Sequence, residues 1–316
     1  MESRKIKLSL IGMGKVGASI AYTIMIKGLA DHMVLVNRRR HIAEGEAYDL
    51  LHALPFSQPM EIRPGDIFDT AGSDIVVVSA SIPSKNMKDR MDLGEGNTRL
   101  FEKLIPSIAE ASPQAVLIIV TNPVDLMTYW TWKLSGFPPS RVIGTGTLID
   151  SARFRSLLGE TSGIHPSDIH AYILGEHGES EFAALSIADV GGKPIHEIIP
   201  LCIKDCSAHT VEGIFEEARD GGFKVYRHKG YTNHAIALAT AEIIETVVRD
   251  RNRVLPVSTL MKGYLGVHDV CLSLPAIVGR NGVKHLVELD LDDEEKHAFQ
   301  KSAERVKTVA RSLGIL

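Results

Sequence analysis

A glycine turn set between two different periodicities restricts this fold more than anything else in the chain. Residues 5–11 form a short apolar run, Gly12-Met13-Gly14-Lys15-Val16-Gly17 follows at once, and Val16, Ile20 and Ile24 then recur at helical spacing. A lone GxGxxG is a weak signal; between a strand and a helix it marks a dinucleotide-binding turn. The glycines permit a tight turn and let a pyrophosphate approach a helix N-terminus, whose dipole favours anions. A second strand, residues 33–36, ends at Asn37, 20 residues past Gly17, where the ribose-binding carboxylate of an NAD site is expected. Arg38, Arg39 and Arg40 follow it. An Asp at this place would repel a 2′-phosphate by about 4 kcal/mol at ~4 Å and an effective dielectric of ~20. Asn37 removes that repulsion and a neighbouring Arg can hold the phosphate, so NADP is expected to be accepted alongside NAD. The alternative is a solvated basic turn, with NAD held through the Asn37 amide.

The alternation then continues. Residues 42–54, 92–111 and 124–134 read as helices; 60–63, 75–78, 116–120 and 141–143 read as strands. Strands separated by helix-length segments predict an α/β fold, here an N-terminal Rossmann sheet, parallel and doubly wound, with ligands beyond the carboxyl ends of the strands. The second half is mixed and predicts an α+β C-terminal domain. It has strand-like runs at 169–174 and 182–190, helices at 204–219 and 232–250, and antiparallel strands at 253–261, 270–278 and 283–286. Asp292, Asp293, Glu294 and Glu295 open the last helix, where negative charge suits the dipole.

A chain of 316 residues with 44% hydrophobic and 23% charged content suits a soluble enzyme of two domains or one large α/β unit. A net charge of −4 gives no reason to expect nucleic acid or an anionic membrane as partner. Cys202, Cys206 and Cys271 are odd in number and lack CxxC spacing, which argues for reduced thiols in the cytoplasm and against a disulfide framework or a metal site. The apolar run at 8–11 is too short for a signal peptide.

Chemistry is expected in four loops. In Leu174-Gly175-Glu176-His177-Gly178-Glu179-Ser180 one imidazole, the side chain best suited to moving protons near neutral pH, sits between glycines that allow substrate or backbone to come close. Residues 79–90 are polar and aperiodic, as a lid would be. Thr121-Asn122-Pro123 follows a strand directly. Asp150 and Arg153, three apart in a helix, share one face.

Together these stretches resemble the L-lactate/malate dehydrogenase family, and within it the bacterial L-lactate dehydrogenases. The motifs that carry the resemblance are GMGKVG at Gly12, Arg90-Met91-Asp92-Leu93, TNPVD at Thr121, LIDSARFR at Leu148 and LGEHGES at Leu174. The resemblance implies a dehydrogenase of L-2-hydroxy acids divided near Gly144, with residues 1–144 binding dinucleotide and 145–316 carrying the substrate. Gly12, Met13, Gly14, Val16, Gly17, Asn37 and Arg38, with Thr121 and Asn122, would bind the cofactor. His177 would be the acid/base and Asp150 would hold its ring. Arg153 would clamp the substrate carboxylate, Arg90 would polarise the carbonyl, and Asn122, through a cis bond to Pro123, would hydrogen-bond the reacting oxygen. Thr232 would line the pocket.

The lid position that discriminates substrates in the family falls on Ser84, where lactate enzymes carry Gln and malate enzymes carry Arg. Without a cation there, a buried second carboxylate lacks a partner, which disfavours malate unless Lys85 or Lys88 turns inward. Pyruvate or a somewhat larger neutral 2-keto acid is expected. Arg155 and His170 occupy positions that bind fructose 1,6-bisphosphate in bacterial relatives, which implies allosteric control and a homo-oligomer, tetramer rather than dimer. Two other classes compete. A redox sensor would need the glycine loop without His177, Asp150, Arg153 and Arg90 together. An NAD-dependent glycoside hydrolase would need a Cys–His metal site.

Overall fold

Short runs of β-branched and aliphatic residues with no polar alternation leave no face for water, and parallel strands buried on both sides are the structure that suits them. The structure, a computed structural model, describes residues 5–82, 93–202 and 210–316. Six strands, β1 (Lys7–Ile11), β2 (His32–Val36), β3 (Glu61–Gly65), β4 (Ile75–Val78), β5 (Val116–Ile119) and β6 (Val142–Gly144), pair in parallel in the order β3-β2-β1-β4-β5-β6. Every residue of β4 and β5 is buried. Burying each such Val or Ile stabilises the fold by roughly 1.5–3 kcal/mol. Between them run α1 (Lys15–Lys27), α2 (Arg40–Ala53), α3 (Gly94–Ala111) and α4 (Val124–Ser135). The strand order reverses between β1 and β4, which opens a crevice at their carboxyl ends, Ile11 and Val78.

The second half contains α5 (Leu148–Ser162), β7 (Ile169–His170), β8 (Ile173–Leu174), β9 (Phe182–Ala183), β10 (Asp189–Val190), β11 (Lys193–Pro194) and α6 (Ile195–Cys202). After these come α7 (Val211–Lys229), α8 (His234–Val248), β12 (Arg253–Lys262), β13 (His268–Gly279), β14 (Gly282–Leu286) and α9 (Asp293–Ser312). The antiparallel strands expected from the sequence are present, but they do not form a sheet of their own. β12 lies antiparallel to β6 through Ser258 and Gly144, so β12, β13 and β14 extend the parallel sheet to nine strands. Gly144 makes this approach feasible, because a Cβ there would come within 2.3 Å of Thr128 Oγ1 and 2.9 Å of Ser258 Cβ.

Other differences concern boundaries. The run 169–174 is two short strands, since the backbone leaves β10 after His170 and joins β9 from Ile173. The run 182–190 is interrupted by a 3-10 turn at Leu185–Ile187. Helix α6 was not anticipated, and α7 continues ten residues beyond the expected end at Arg219. Gly221 and Gly222, each costing roughly 1 kcal/mol of helix propensity, do not stop α7, because it packs along α5. The acidic run is helix-start charge as expected: Asp292 and Glu295 form a reciprocal capping box on α9. Among the described residues no helix is long and apolar enough to cross a membrane.

Candidate active site

The glycine turn leaves β1 at the crevice, and its three glycines are there for two different reasons. Gly12 adopts φ +103°, and a Cβ on it would stand 2.5 Å from Ala80 N. A Cβ on Gly17 would stand 2.0 Å from Gly12 O. These two are required by the protein's own packing. Gly14 has nothing within 4 Å of where its Cβ would be, so the open space over the first turn of α1 is the cradle a pyrophosphate needs. No side chain among the described residues caps α1, so its first N–H groups keep their capacity for an anion. Gly14→Ala should therefore leave thermal stability unchanged while weakening NADH binding by about tenfold or more in a fluorescence titration. Equal affinity in the variant would show that no phosphate enters the cradle.

Of the other expected cofactor residues, Val16 and Thr121 line the adjoining cavity, whereas the Met13 side chain is buried in the core and leaves only its backbone for contact. Asn37 is half-buried at the end of β2, its amide donating to Arg39 O at 3.4 Å. Arg38 and Arg39 are exposed without an ion pair among the described residues, while Arg40 turns to Glu44 at 3.1 Å.

Helix α5 brings the proton chemistry together. Its first turn places Asp150 in complete burial, with Arg153 one turn on. One carboxylate oxygen of Asp150 accepts from Arg153 at 2.6 Å, and the other meets His177 Nδ1. The guanidinium is 18% exposed and the imidazole 10%. A carboxylate on Nδ1 holds the ring's orientation and tautomer, and leaves Nε2 as the atom for proton exchange with an oxygen in the cavity. Buried Glu181 also places a carboxylate oxygen near this pair, with the ligand atoms of Asp150, His177 and Glu181 within 4.8 Å of one another. Because Asp150 already bridges an imidazole and a guanidinium, the cluster suits proton transfer beside an anion.

The glycines flanking His177 allow a close approach, and what comes close is the protein itself: Gly175 exchanges both main-chain hydrogen bonds with Ser273. A Cβ on Gly175 would stand 2.7 Å from Ser302 Oγ, and one on Gly178 2.5 Å from Glu176 Oε1. Helix α9 buttresses this loop: Ser302 accepts from Glu176 N at 2.6 Å, and Arg305 pairs with Glu176 and Glu179, both at 3.1 Å.

A cavity of ≈ 220 Å³ joins the glycine turn to His177. Asn122, Arg153, His177 and Thr232 line it, as the sequence led us to expect, together with Ser79, Ser81 and Ile149. The Asn122–Pro123 bond is cis. Asn122 Oδ1 is buried with no partner among the described residues, a polar group waiting for a ligand. Asn97 holds the loop in place. Its amide donates to Asn122 O at 2.6 Å and to Ser81 Oγ at 3.1 Å, and its oxygen accepts from Ile82 N at 2.8 Å. Ser84, Arg90, Lys85 and Lys88 lie outside the described residues.

Sequence reasoning overlooked several cavity residues. Val120 and Thr145 follow strand ends and were reachable by that rule. Gly222, Phe223 and Tyr226 on α7 carry no motif, and only the packing of α7 against α5 brings them in. Apolar walls with an orphaned amide oxygen and an open glycine cradle fit a nicotinamide dinucleotide.

Comparison with known proteins agrees with this geometry. Residues 6–144 match the family model described as lactate/malate dehydrogenase, NAD binding domain, and residues 147–312 match lactate/malate dehydrogenase, alpha/beta C-terminal domain. The chain is 44% identical over 309 residues to an L-lactate dehydrogenase of Thermoanaerobacter pseudethanolicus, covering 98% of this chain and 99% of that protein. It is 41% identical over 309 residues to the L-lactate dehydrogenase of Acetivibrio thermocellus, covering 98% of each. L-lactate dehydrogenase 1 of Clostridium acetobutylicum is 42% identical over 301 residues, 95% of this chain and 96% of that protein.

Proposed function

The chain belongs to the lactate/malate dehydrogenase family, and on that premise we propose that it interconverts pyruvate and L-lactate. It is an NAD-dependent oxidoreductase acting on the CH–OH group of a small hydroxy acid. Reducing pyruvate returns NADH to NAD⁺, which lets glycolysis continue. The observation that carries the reading is the Arg153–Asp150–His177 chain of contacts on the wall of the cavity that reaches the glycine turn.

Residues 1–144 serve the cofactor and 145–316 the substrate. Gly12, Gly14, Gly17 and the first turn of α1 would hold the pyrophosphate, with Val16, Thr121 and Asn122 around the nicotinamide. NADH, when bound, supplies hydride to C2 of the keto acid. Arg153 grips the acid's carboxylate, and Asn122 and the lid residue Arg90 hydrogen-bond its keto oxygen. His177 gives that oxygen a proton from Nε2, and Asp150 stabilises the imidazolium in the reverse direction. Thr232 and Ser84 border the C3 group. The uncharged Asn37 beside an exposed, unpaired Arg38 supports use of NADP as well as NAD.

A largely apolar cavity of ≈ 600 Å³ between α5, α7 and α8, with Leu238 59% exposed and Arg155 on its wall, supports a homo-oligomer. We favour a tetramer, checked by sedimentation velocity. His170 is exposed beside Asp189, and with Arg155 it supports a fructose 1,6-bisphosphate site. The free, buried thiol of Cys271 supports a cytoplasmic setting.

One steady-state panel tests these assignments. It crosses NADH and NADPH with pyruvate, 2-ketobutyrate, 4-methyl-2-oxopentanoate and oxaloacetate, with and without millimolar fructose 1,6-bisphosphate. Pyruvate or a larger neutral acid should exceed oxaloacetate in kcat/KM by about tenfold or more, the loss expected for burying an unpaired carboxylate. Oxaloacetate as the best substrate overturns the specificity. An NADPH rate unchanged in Arg38→Ala removes the NADP assignment. Unchanged KM and assembly with the sugar bisphosphate remove the effector site.

A further inference from the structure

A buried carboxylate with no part in the proton transfer described above holds the catalytic loop from behind. Asp125, in the first turn of α4, is 1% exposed. Its Oδ2 accepts the backbone N–H of His177 at 2.7 Å, and its Oδ1 accepts the Ser258 hydroxyl at 2.5 Å. Ser258 is the residue of β12 that pairs with Gly144 of β6. Asn122, which lines the cavity, stands three residues before Asp125 in the loop that leads into α4. One carboxylate thus joins the central sheet, the Asn122 loop and the main chain of His177. Asp150 governs how the imidazole is rotated; it does not govern where the His177 backbone stands.

We propose that Asp125 is a positioning residue for the reaction, fixing the His177 main chain so that its ring and the Asn122 amide converge on one substrate oxygen. The proposal rests on the oxidoreductase reading above. Asp125 acts through His177 and exchanges no proton with substrate.

The groups facing Asp125 show that the contact persists across neutral pH. Burial, which outweighs the hydrogen bonds donated by Ser258 and His177, pushes its carboxyl up to about 7, and Glu176 on the loop adds to the shift. Glu176 is itself paired with Arg305 of α9. Cys271 of β13 is neutral, because burial pushes its thiol well above the usual range. When ionised, Asp125 accepts from both donors. When neutral, it still accepts from His177 with one oxygen while its O–H donates to Ser258.

Asp125→Ala and Asp125→Asn separate positioning from mere structural support. Single-turnover oxidation of NADH by pyruvate should slow by about 10- to 100-fold in Asp125→Ala, the scale expected for a 1 Å misplacement. The NADH Kd should stay within about twofold, since the glycine cradle is untouched. Asn keeps an acceptor for His177 and a donor for Ser258, so Asp125→Asn should recover about tenfold of that loss. Should the Ala variant not fold, Asp125→Ser, too short to reach His177 N–H, is read the same way. An Ala variant as fast as wild type, or an Asn variant as slow as Ala, overturns the proposal. A wild-type protein that fails to oxidise NADH whichever 2-keto acid is supplied overturns the oxidoreductase reading instead.

A second readout needs no turnover. The folded carboxyl keeps its proton to about pH 7, against an ordinary value of 3.8. Its contribution to stability is therefore full below the ordinary value of 3.8, falls progressively as pH rises, and is gone once pH has passed about 7. Asp125→Asn should lack that loss between acid and neutral pH in denaturant titrations.

Discussion

Replacing His177 with alanine is expected to lower kcat/KM for pyruvate reduction by about 10³- to 10⁴-fold, the upper part of the range for general acid–base catalysis. NADH binding should survive. The imidazole reaches the cavity from a loop fixed by α9, and no part of the glycine cradle rests on it. On the proposed reading, what disappears is the group that gives the keto oxygen its proton while hydride arrives at carbon, and with it the ring that Asp150 holds. The check is a fluorescence titration with NADH beside steady-state kinetics. A variant that retains a tenth or more of wild-type kcat/KM would assign the proton to another residue.

Arg153→Ala should have the second-largest effect, raising KM for pyruvate and cutting kcat/KM by about 10²- to 10³-fold. Leaving a buried charge without its partner costs roughly 3–5 kcal/mol. On the proposed reading the damage extends to both sides: the substrate carboxylate loses its clamp, and buried Asp150 loses the hydrogen bond it accepts at 2.6 Å. Arg153→Lys keeps the charge but not the planar fork, so it should recover only part of the loss. Binding of oxamate, a pyruvate analogue, to the NADH complex separates affinity from rate. Unchanged oxamate affinity in the Ala variant would move the carboxylate clamp elsewhere.

The parallel half of the fold was legible because its central strands β4 and β5 are unbroken apolar runs, and each helix is long enough to show its period. Asp150 and Arg153 were legible for a related reason: spacing of three within one helix is itself a statement about a shared face. The second half was less readable. Strands of two residues such as β7 and β8 are too short to show alternation, and which partner each takes is decided by contacts far along the chain. The same is true of Asp125 and Ser258, whose meeting across 133 positions no local pattern announces. The flanking glycines of His177 were legible as places of close approach, but not what approaches: Ser273, Ser302 and Glu176. For these glycines the sequence shows that a position is special before it shows what it touches.

The seam between β6 and β12 has a consequence for how the molecule can be divided. The match to the NAD binding domain ends at residue 144 and the match to the C-terminal domain begins at 147, yet the two halves are stitched by Gly144 against Ser258 and by Thr147 N–H on Ser273 Oγ at 3.0 Å. Severing the polypeptide near residue 145 would strip one flank of β6 and one of β12 of their neighbours, leaving raw strand margins that invite clumping. Fragments would inherit the division of labour without the ability to stand alone. Grafting a foreign acid-recognising half onto this nucleotide half would succeed only if the newcomer brought a strand, and a small residue, to lie against Gly144.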